Sequence, residues 1–307
     1  MTSPDSKIVL NELVDDMPNE AYHSTKNTFS SSQLKLMLED PELFHATYIA
    51  KTEERVSIPA FDIGTYFHTM VLEPHKIEED CAVYPGIRRG KEWEKFKEEN
   101  EGKAIITKSE HEQAMRIVEA AKNSPVAMNY INNGKPEVSA FIEVVVDSGD
   151  IYCGDKVLGK EGWEKTKHKA KGVNLILKGR ADCLGSNYIL DLKSTTGNAK
   201  SEKSIKDKVN DYYYDLSAAF YLDLFSAVLD KKMETFIWTF ASKDIGNCKN
   251  WVASRDVIKV GRAKWKKAIV SLAYHTSQNW KFTDTLAVLE PGWGAKEWLE
   301  EKEEDML

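Results

Sequence analysis

Disulfide and iron–sulfur chemistry are poorly provided for in this chain. Cysteine occurs four times in 307 residues, at Cys81, Cys153, Cys183 and Cys248, and never as CxxC. That scatter argues against a disulfide framework and for a reducing cytoplasm. Glycine (17) and proline (9) are few, and no low-complexity linker or internal repeat interrupts the chain. No apolar run approaches the roughly 18 residues a membrane-spanning helix needs. The opening stretch MTSPDSKIVLNELVDD is acidic and lacks the apolar core of a signal peptide. An excess of positive charge is missing too. The net charge of −7 does not suggest a general nucleic-acid binder, so any DNA contact must come from a local basic patch.

What is present is a chain with 42% hydrophobic residues, enough to bury a sizeable core in one large domain spanning 1–307. Residues 1–133 read as a mainly helical portion, and 134–307 as a sheet core with C-terminal helices. The order of elements predicts a mixed α/β fold with a central sheet flanked by helices.

The most informative stretch is KGRADCLGSNYILDLKS at 178–194. It predicts two adjacent strands joined at Gly185-Ser186-Asn187. The two-residue period of a strand puts Asp191 and Lys193 on one side, and a hairpin brings Asp182 beside them. Two carboxylates and a lysine suit phosphodiester hydrolysis: the carboxylates hold Mg²⁺, and the lysine neutralises charge at phosphorus. A solvated surface pair is the alternative that D-x-K alone allows.

Along the chain, SSSQL at 30–34 reads as a helix start. Ser30, Ser31 or Ser32 caps it, and plain capping is favoured over the alternative that this hydroxyl-rich helix start holds a phosphate. A helix from Ala60 ends at Pro74, with Phe61, Ile63, Phe67, Met70 and Val71 inward. Gly64 within it suggests close packing. His68 is either a hydrogen-bonded core residue or a metal ligand. Residues 75–107 read as a charged connector in which Arg88, Arg89 and Lys91 cluster, and 108–133 as a helix broken at Ser124-Pro125. A strand begins at Glu137. Residues 148–172 read as a long excursion carrying Lys156, Lys160, Lys165, Lys167, Lys169 and Lys171 with Trp163 and His168; it either tracks DNA phosphates or is solvated. A charged segment at 200–211 precedes a helix on which Tyr214, Ser217, Tyr221 and Phe225 share one face. Two strands near 234–241 and 250–254, a helix over 261–280 and an acidic tail from Trp293 complete the chain.

With these elements placed, the chain resembles the RecE-type phage exonucleases, the nuclease domain of exonuclease VIII, within the PD-(D/E)xK nuclease superfamily. The likeness runs from about Asn19 to the tail. It is carried by NEAYH at 19–23, SSSQL, GTYFHTMVLEP at 64–74, GRAD at 179–182, DLKST at 191–195 and YDLSAAFY at 214–221. It implies a Mg²⁺-dependent exonuclease, with Mn²⁺ able to substitute, that resects linear duplex DNA from 5′ ends to leave 3′ overhangs. It also implies a homo-oligomeric ring working beside a single-strand annealing recombinase. By position, the resemblance makes His68, Asp182 and Asp191 metal ligands and Lys193 the residue that positions or activates the attacking water. Glu137 matches an acidic position near a second metal, and Tyr221 the tyrosine of a Gln-x-x-x-Tyr motif in which Ser217 replaces the usual glutamine. Ser30, Ser32, Arg88 and Arg89 are the expected DNA or phosphate contacts. The alternatives are a RecB/Cas4-like flap or single-strand nuclease, or a catalytically silent DNA-binding subunit.

Overall fold

The computed structural model describes residues 9–53, 59–160 and 163–283. The acidic tail, the first eight residues and the Phe61 side chain, all part of the sequence expectations, lie outside the described residues. The strands are β1 (Leu13–Val14), β2 (Thr28–Phe29), β3 (Cys81–Tyr84), β4 (Ala104–Thr107), β5 (Lys135–Asp147), β6 (Asp150–Cys153), β7 (Lys156–Leu158), β8 (Trp163–Lys165), β9 (Val173–Leu184), β10 (Tyr188–Thr195), β11 (Thr235–Ser242) and β12 (Cys248–Val252). The helices are α1 (Asn19–Ser24), α2 (Ser31–Glu39), α3 (Pro41–Phe44), α4 (Pro59–Leu72), α5 (Ile77–Asp80), α6 (Gly90–Glu99), α7 (Lys108–Lys122), α8 (Pro125–Asn132), α9 (Glu202–Asp211), α10 (Tyr214–Leu229) and α11 (Arg255–Ser277).

The main sheet runs β12-β11-β10-β9-β5-β6-β7-β8, with β1 added beside β5 and β2 beside β9. It is mixed: β10 pairs parallel with β11 and antiparallel with β9. Alternation along each central strand sends apolar side chains to both faces. Phe236, Trp238 and Phe240 of β11 join the core beneath α2, α10 and α11, whereas Ile237 and Ala241 join the core beneath α4 and α7. On β10, Ile189 takes the first face, and Tyr188, Leu190 and Leu192 take the second. Asp191 and Lys193 therefore inherit the α10 face. Phe220, Phe225 and Trp265 are fully buried there, each stabilising the fold by about 1.5–3 kcal/mol through burial. Close approach makes this layer compact: a Cβ at Gly261 of α11 would meet the Asp215 carbonyl of α10 at 2.0 Å.

Several expectations need correction. The connector at 75–107 contains α5, β3, α6 and β4, and β3 and β4 form a small parallel sheet of their own. The excursion at 148–172 is not one loop, because β6, β7 and β8 extend the main sheet outward. Its polarity concealed three short edge strands, each with only one or two inward positions. The charged segment at 200–211 is α9, an amphipathic helix burying Ile205. Close packing does not explain Gly64: a Cβ there would meet nothing within 4 Å, and the residue borders a cavity.

Candidate active site

Strand β9 changes its neighbour partway along, and the site lies at that change. On one edge it pairs with β5 over nearly its whole length. On the other it pairs with β10 only at Cys183 and Leu184, and with β2 only at Ile176 and Leu177. The sheet opens between those two partners. Continuing the β9–β10 register by one residue sets Asp191 opposite Asp182, and continuing the β5–β9 register sets Glu137 opposite Asp182 from the other side. Three carboxylates thus form a row across three neighbouring strands.

At the opening, Asp182 uses its carboxylate in place of a strand ladder bond. Its Oδ2 accepts from the Leu192 N–H at 2.7 Å. His68 of α4 reaches the same peptide, with Nε2 3.0 Å from the Leu192 carbonyl oxygen. A carbonyl only accepts, so Nε2 carries the proton. Nδ1 then faces Asp182 Oδ2 at 3.4 Å and Glu137 Oε1 at 4.0 Å. A ring nitrogen held by a backbone carbonyl, with the other turned to carboxylates, is the usual posture of a metal-ligating histidine.

Glu137 enters the row by an unusual backbone. Its φ is +49°, in the left-handed region that costs an L-residue about 1–2 kcal/mol. Burial and the Asp182 charge raise its pKa from 4.5 to about 8. His68, Glu137 and Asp182 offer ligand atoms that all lie within 4.8 Å of one another. Two carboxylates and an imidazole suit a hard or borderline divalent ion such as Mg²⁺ or Mn²⁺, and a cation would relieve the repulsion that raises Glu137.

Asp191, expected among the ligands, is not in that convergent trio. Its Oδ2 is 2.5 Å from Lys193 Nζ, yet off the hydrogen-bonding direction, so this buried oxygen has an ion pair and no aligned hydrogen bond. Burial raises the Asp191 pKa, against the opposing charge of Lys193. Burial also works against the Lys193 ammonium, but Asp191 and Asp182 outweigh it and raise its pKa. The residues fit a metal: a trio of donors, with an under-satisfied carboxylate alongside.

The remaining expected residues fall in different places. Tyr221 lies against β9, where a Cβ at Gly179 would come within 3.2 Å of its ring, and its hydroxyl accepts from Ser31 Oγ at 3.4 Å. Burial raises its pKa. Ser217 is buried on the same helix. Ser30 is committed to capping, its N–H and hydroxyl both donating to Gln33 Oε1 at 2.8 and 3.1 Å. Ser32 is exposed and borders the same cavity as Asp182 and Tyr221. Arg88, expected as a DNA contact, donates from its guanidinium to Glu110 Oε1 and the Ile105 carbonyl, so it ties α7 to the small sheet. Arg89, Lys91 and the lysines of 156–171 line neither of the two cavities at the site, and Lys156 is held by Asp230 and the Ala227 carbonyl.

Those cavities, about 840 and 850 Å³, meet at the carboxylate row and share Asn19, His23, His68, Glu137 and Arg180. One is bordered by Lys26, Lys51, Thr25, Thr28, Ser30 and Ser32, the other by Asp16, Glu73, Glu79 and Asp80. Arg180 escaped the sequence analysis. It donates to Ser139 Oγ and the Met17 carbonyl, stacks on Tyr22 and stands 4.0 Å from Glu137. Its place two residues before Asp182, on the same strand side, was the available signal.

A family model described as a PDDEXK-like domain of unknown function (DUF3799) matches residues 30–281. No curated protein matches the chain. Among solved structures, a Eubacterium rectale protein described as a candidate exonuclease superposes with a TM-score of 0.56 at 14% identity, covering 90% of this chain and 96% of its own. That likeness shows a shared fold. SSO0001 aligns over 68% of this chain and 86% of its own with a TM-score of 0.27 at 16% identity, too low to bear on the argument. Among the described residues no helix is long and apolar enough to cross a membrane.

Proposed function

The chain belongs to the PDDEXK-like family whose model spans residues 30–281, and from that premise we propose that it is a divalent-metal-dependent exodeoxyribonuclease. It trims linear duplex DNA from 5′ ends and leaves 3′ overhangs for a single-strand annealing recombinase, acting as a ring of copies around the duplex. The observation that carries the nuclease reading is the convergence of His68, Glu137 and Asp182 within 4.8 Å, beside the Asp191–Lys193 pair. The end polarity, ring and partner rest on the RecE-type resemblance of the motifs.

His68, Glu137 and Asp182 would hold Mg²⁺ or Mn²⁺, with Asp191 adjoining. Bound there, the ion supplies Lewis acidity toward the phosphodiester and its water. The chain's own groups do the rest. Leu192 fixes both Asp182 and His68 through one peptide, so the row is organised before substrate arrives. Lys193 carries a positive charge that Asp191 holds in place, available to the phosphoryl oxygens as negative charge builds on them. Arg180 borders both cavities, but Lys26, Lys51 and a set of hydroxyl side chains border one alone, which suits a phosphate backbone better than the cavity bordered by Asp16, Glu73, Glu79 and Asp80 with Lys76. The substrate strand would then approach from the α2 side, where Ser32 and Arg180 of β9 would meet a terminal phosphate.

The test is digestion of end-labelled linear duplex and nicked circular DNA, with Mg²⁺, with Mn²⁺ and with chelator. Metal-dependent loss of linear duplex from 5′ ends alone is expected. Cleavage confined to flaps or single strands would favour a RecB/Cas4-like activity. Binding without cleavage would favour a silent subunit.

A further inference from the structure

Helix α2 brings a second cation to the Lys193 side of the site. Its first residue, Ser31, meets the Tyr221 hydroxyl, and one turn later Lys35 reaches the other tyrosine of the same α10 face. Lys35 Nζ stands 5.0 Å from the Tyr214 ring centroid, and Lys193 Nζ stands 5.4 Å from that same centroid. Two ammonium groups therefore share one aromatic ring.

Lys35 is partly buried, and the ring is its contact. Three carboxylates act on it: Glu39, one turn along α2, is exposed and forms no ion pair with it, and the other two are already engaged. Asp191 pairs with Lys193 at 2.5 Å, and Asp215 pairs with Lys264 at 2.6 Å. A desolvated cation beside a like charge, with only the exposed Glu39 left to act on it at longer range, is costly. The cost registers in its pKa, lowered from 10.5 to about 7 by burial first and by Lys193 second. An arriving anion would offset both terms, since it would pair with Lys35 and dilute its repulsion with Lys193.

We propose that Lys35 is a substrate-contacting residue, whose ammonium binds a phosphodiester oxygen of the DNA strand that Lys193 engages. This rests on the nuclease reading above. The Tyr214 ring is the contact that the two ammonium groups share. Lys35 thereby adds a charge to the basic side of the site from an element that carries none of the metal donors.

Three proteins test it: wild type, Lys35→Met and Lys35→Arg. Binding of a duplex oligonucleotide is measured against salt concentration with Ca²⁺ in place of Mg²⁺, and cleavage is then measured with Mg²⁺. Lys35→Met should reduce the magnitude of the salt slope by about 0.9, the loss of one phosphate contact. Its cleavage should fall at least tenfold, and its melting temperature should rise because an unpaired cation has gone. Lys35→Arg should retain most binding and cleavage. Should Lys35→Met fail to fold, Lys35→Gln is read in the same way. A Met variant with a wild-type salt slope and turnover, or one that melts lower with cleavage unchanged, overturns the assignment while wild-type cleavage leaves the nuclease reading standing. A wild-type protein that neither binds nor cuts DNA removes both.

Discussion

His68 and Leu192 are joined at a single peptide, with Nε2 3.0 Å from the carbonyl oxygen, and the N–H of Leu192 donates to Asp182 at 2.7 Å. One backbone unit in β10 therefore orients His68 from α4 and Asp182 from β9. Helix α4 buries Ile63, Phe67 and Val71 against the face opposite α10. The imidazole reaches the carboxylate row because the sheet opens between β10 and β2.

Asp182→Asn keeps an oxygen for the Leu192 N–H and removes the charge beside His68. The fold should survive while divalent-metal affinity falls, and cleavage should drop on the order of 10²-fold or more, as when one preorganised electrostatic group is lost. Calorimetric titration with Mn²⁺ and a cleavage assay check this. Normal Mn²⁺ binding by the variant would remove Asp182 from the ligand set.

Lys193→Ala should cost on the order of 10²-fold in cleavage through lost transition-state charge stabilisation. Metal binding should persist because His68, Glu137 and Asp182 remain. Leaving Asp191 buried without its cation should also destabilise the fold. A variant that folds and digests linear duplex at the wild-type rate would falsify the role given to this hairpin.

Glu137 holds its proton up to about 8 when no cation is bound. Its folded pKa is raised above the unfolded value of 4.5. The stability it contributes is therefore complete below about 4.5 and is lost as pH rises through about 8. A divalent cation must displace that proton, so metal uptake near pH 7 should release protons and tighten with rising pH. Titration calorimetry in buffers of different ionisation enthalpy measures the release directly. Identical heats across buffers would exclude Glu137 as a ligand.

Glu137→Gly removes the left-handed strain at φ +49° and a repelled carboxylate. Relief of about 1–2 kcal/mol is partly offset by glycine's entropy, about 0.5–1 kcal/mol. The variant should melt no lower than wild type while losing cleavage. A clear fall in melting temperature would mean that this carboxylate serves the fold.

Asp223 tests the core independently of the site. It accepts from Arg262 at 2.8 to 3.1 Å and from Trp265 Nε1 at 3.2 Å, joining α10 to α11. Asp223→Ala leaves Arg262 unpaired and should cost about 3–5 kcal/mol, measured by urea denaturation. A loss below about 1 kcal/mol would show that the pair is replaced by water.

The sequence by itself determined what is local. Asp182, Asp191 and Lys193 sit on two strands joined by a short turn, and a two-residue period leaves little choice about which side they share. The apolar faces of α4, α7, α10 and α11 were legible for the same reason, since a helix repeats its pattern within a few residues. Tertiary structure alone decided the rest. Glu137 faces Asp182 only because β5 adopts one register against β9, and a left-handed residue turns its side chain into the row. The His68 tautomer depends on a carbonyl from a strand far along the chain. Arg88 meets Glu110 only in the folded chain, and Lys35 meets the Tyr214 ring only because α2 packs against α10. Periodicity fixes which way a side chain points along its own element. Which distant partner it meets is set by strand order, register and helix packing, and those depend on the whole chain at once.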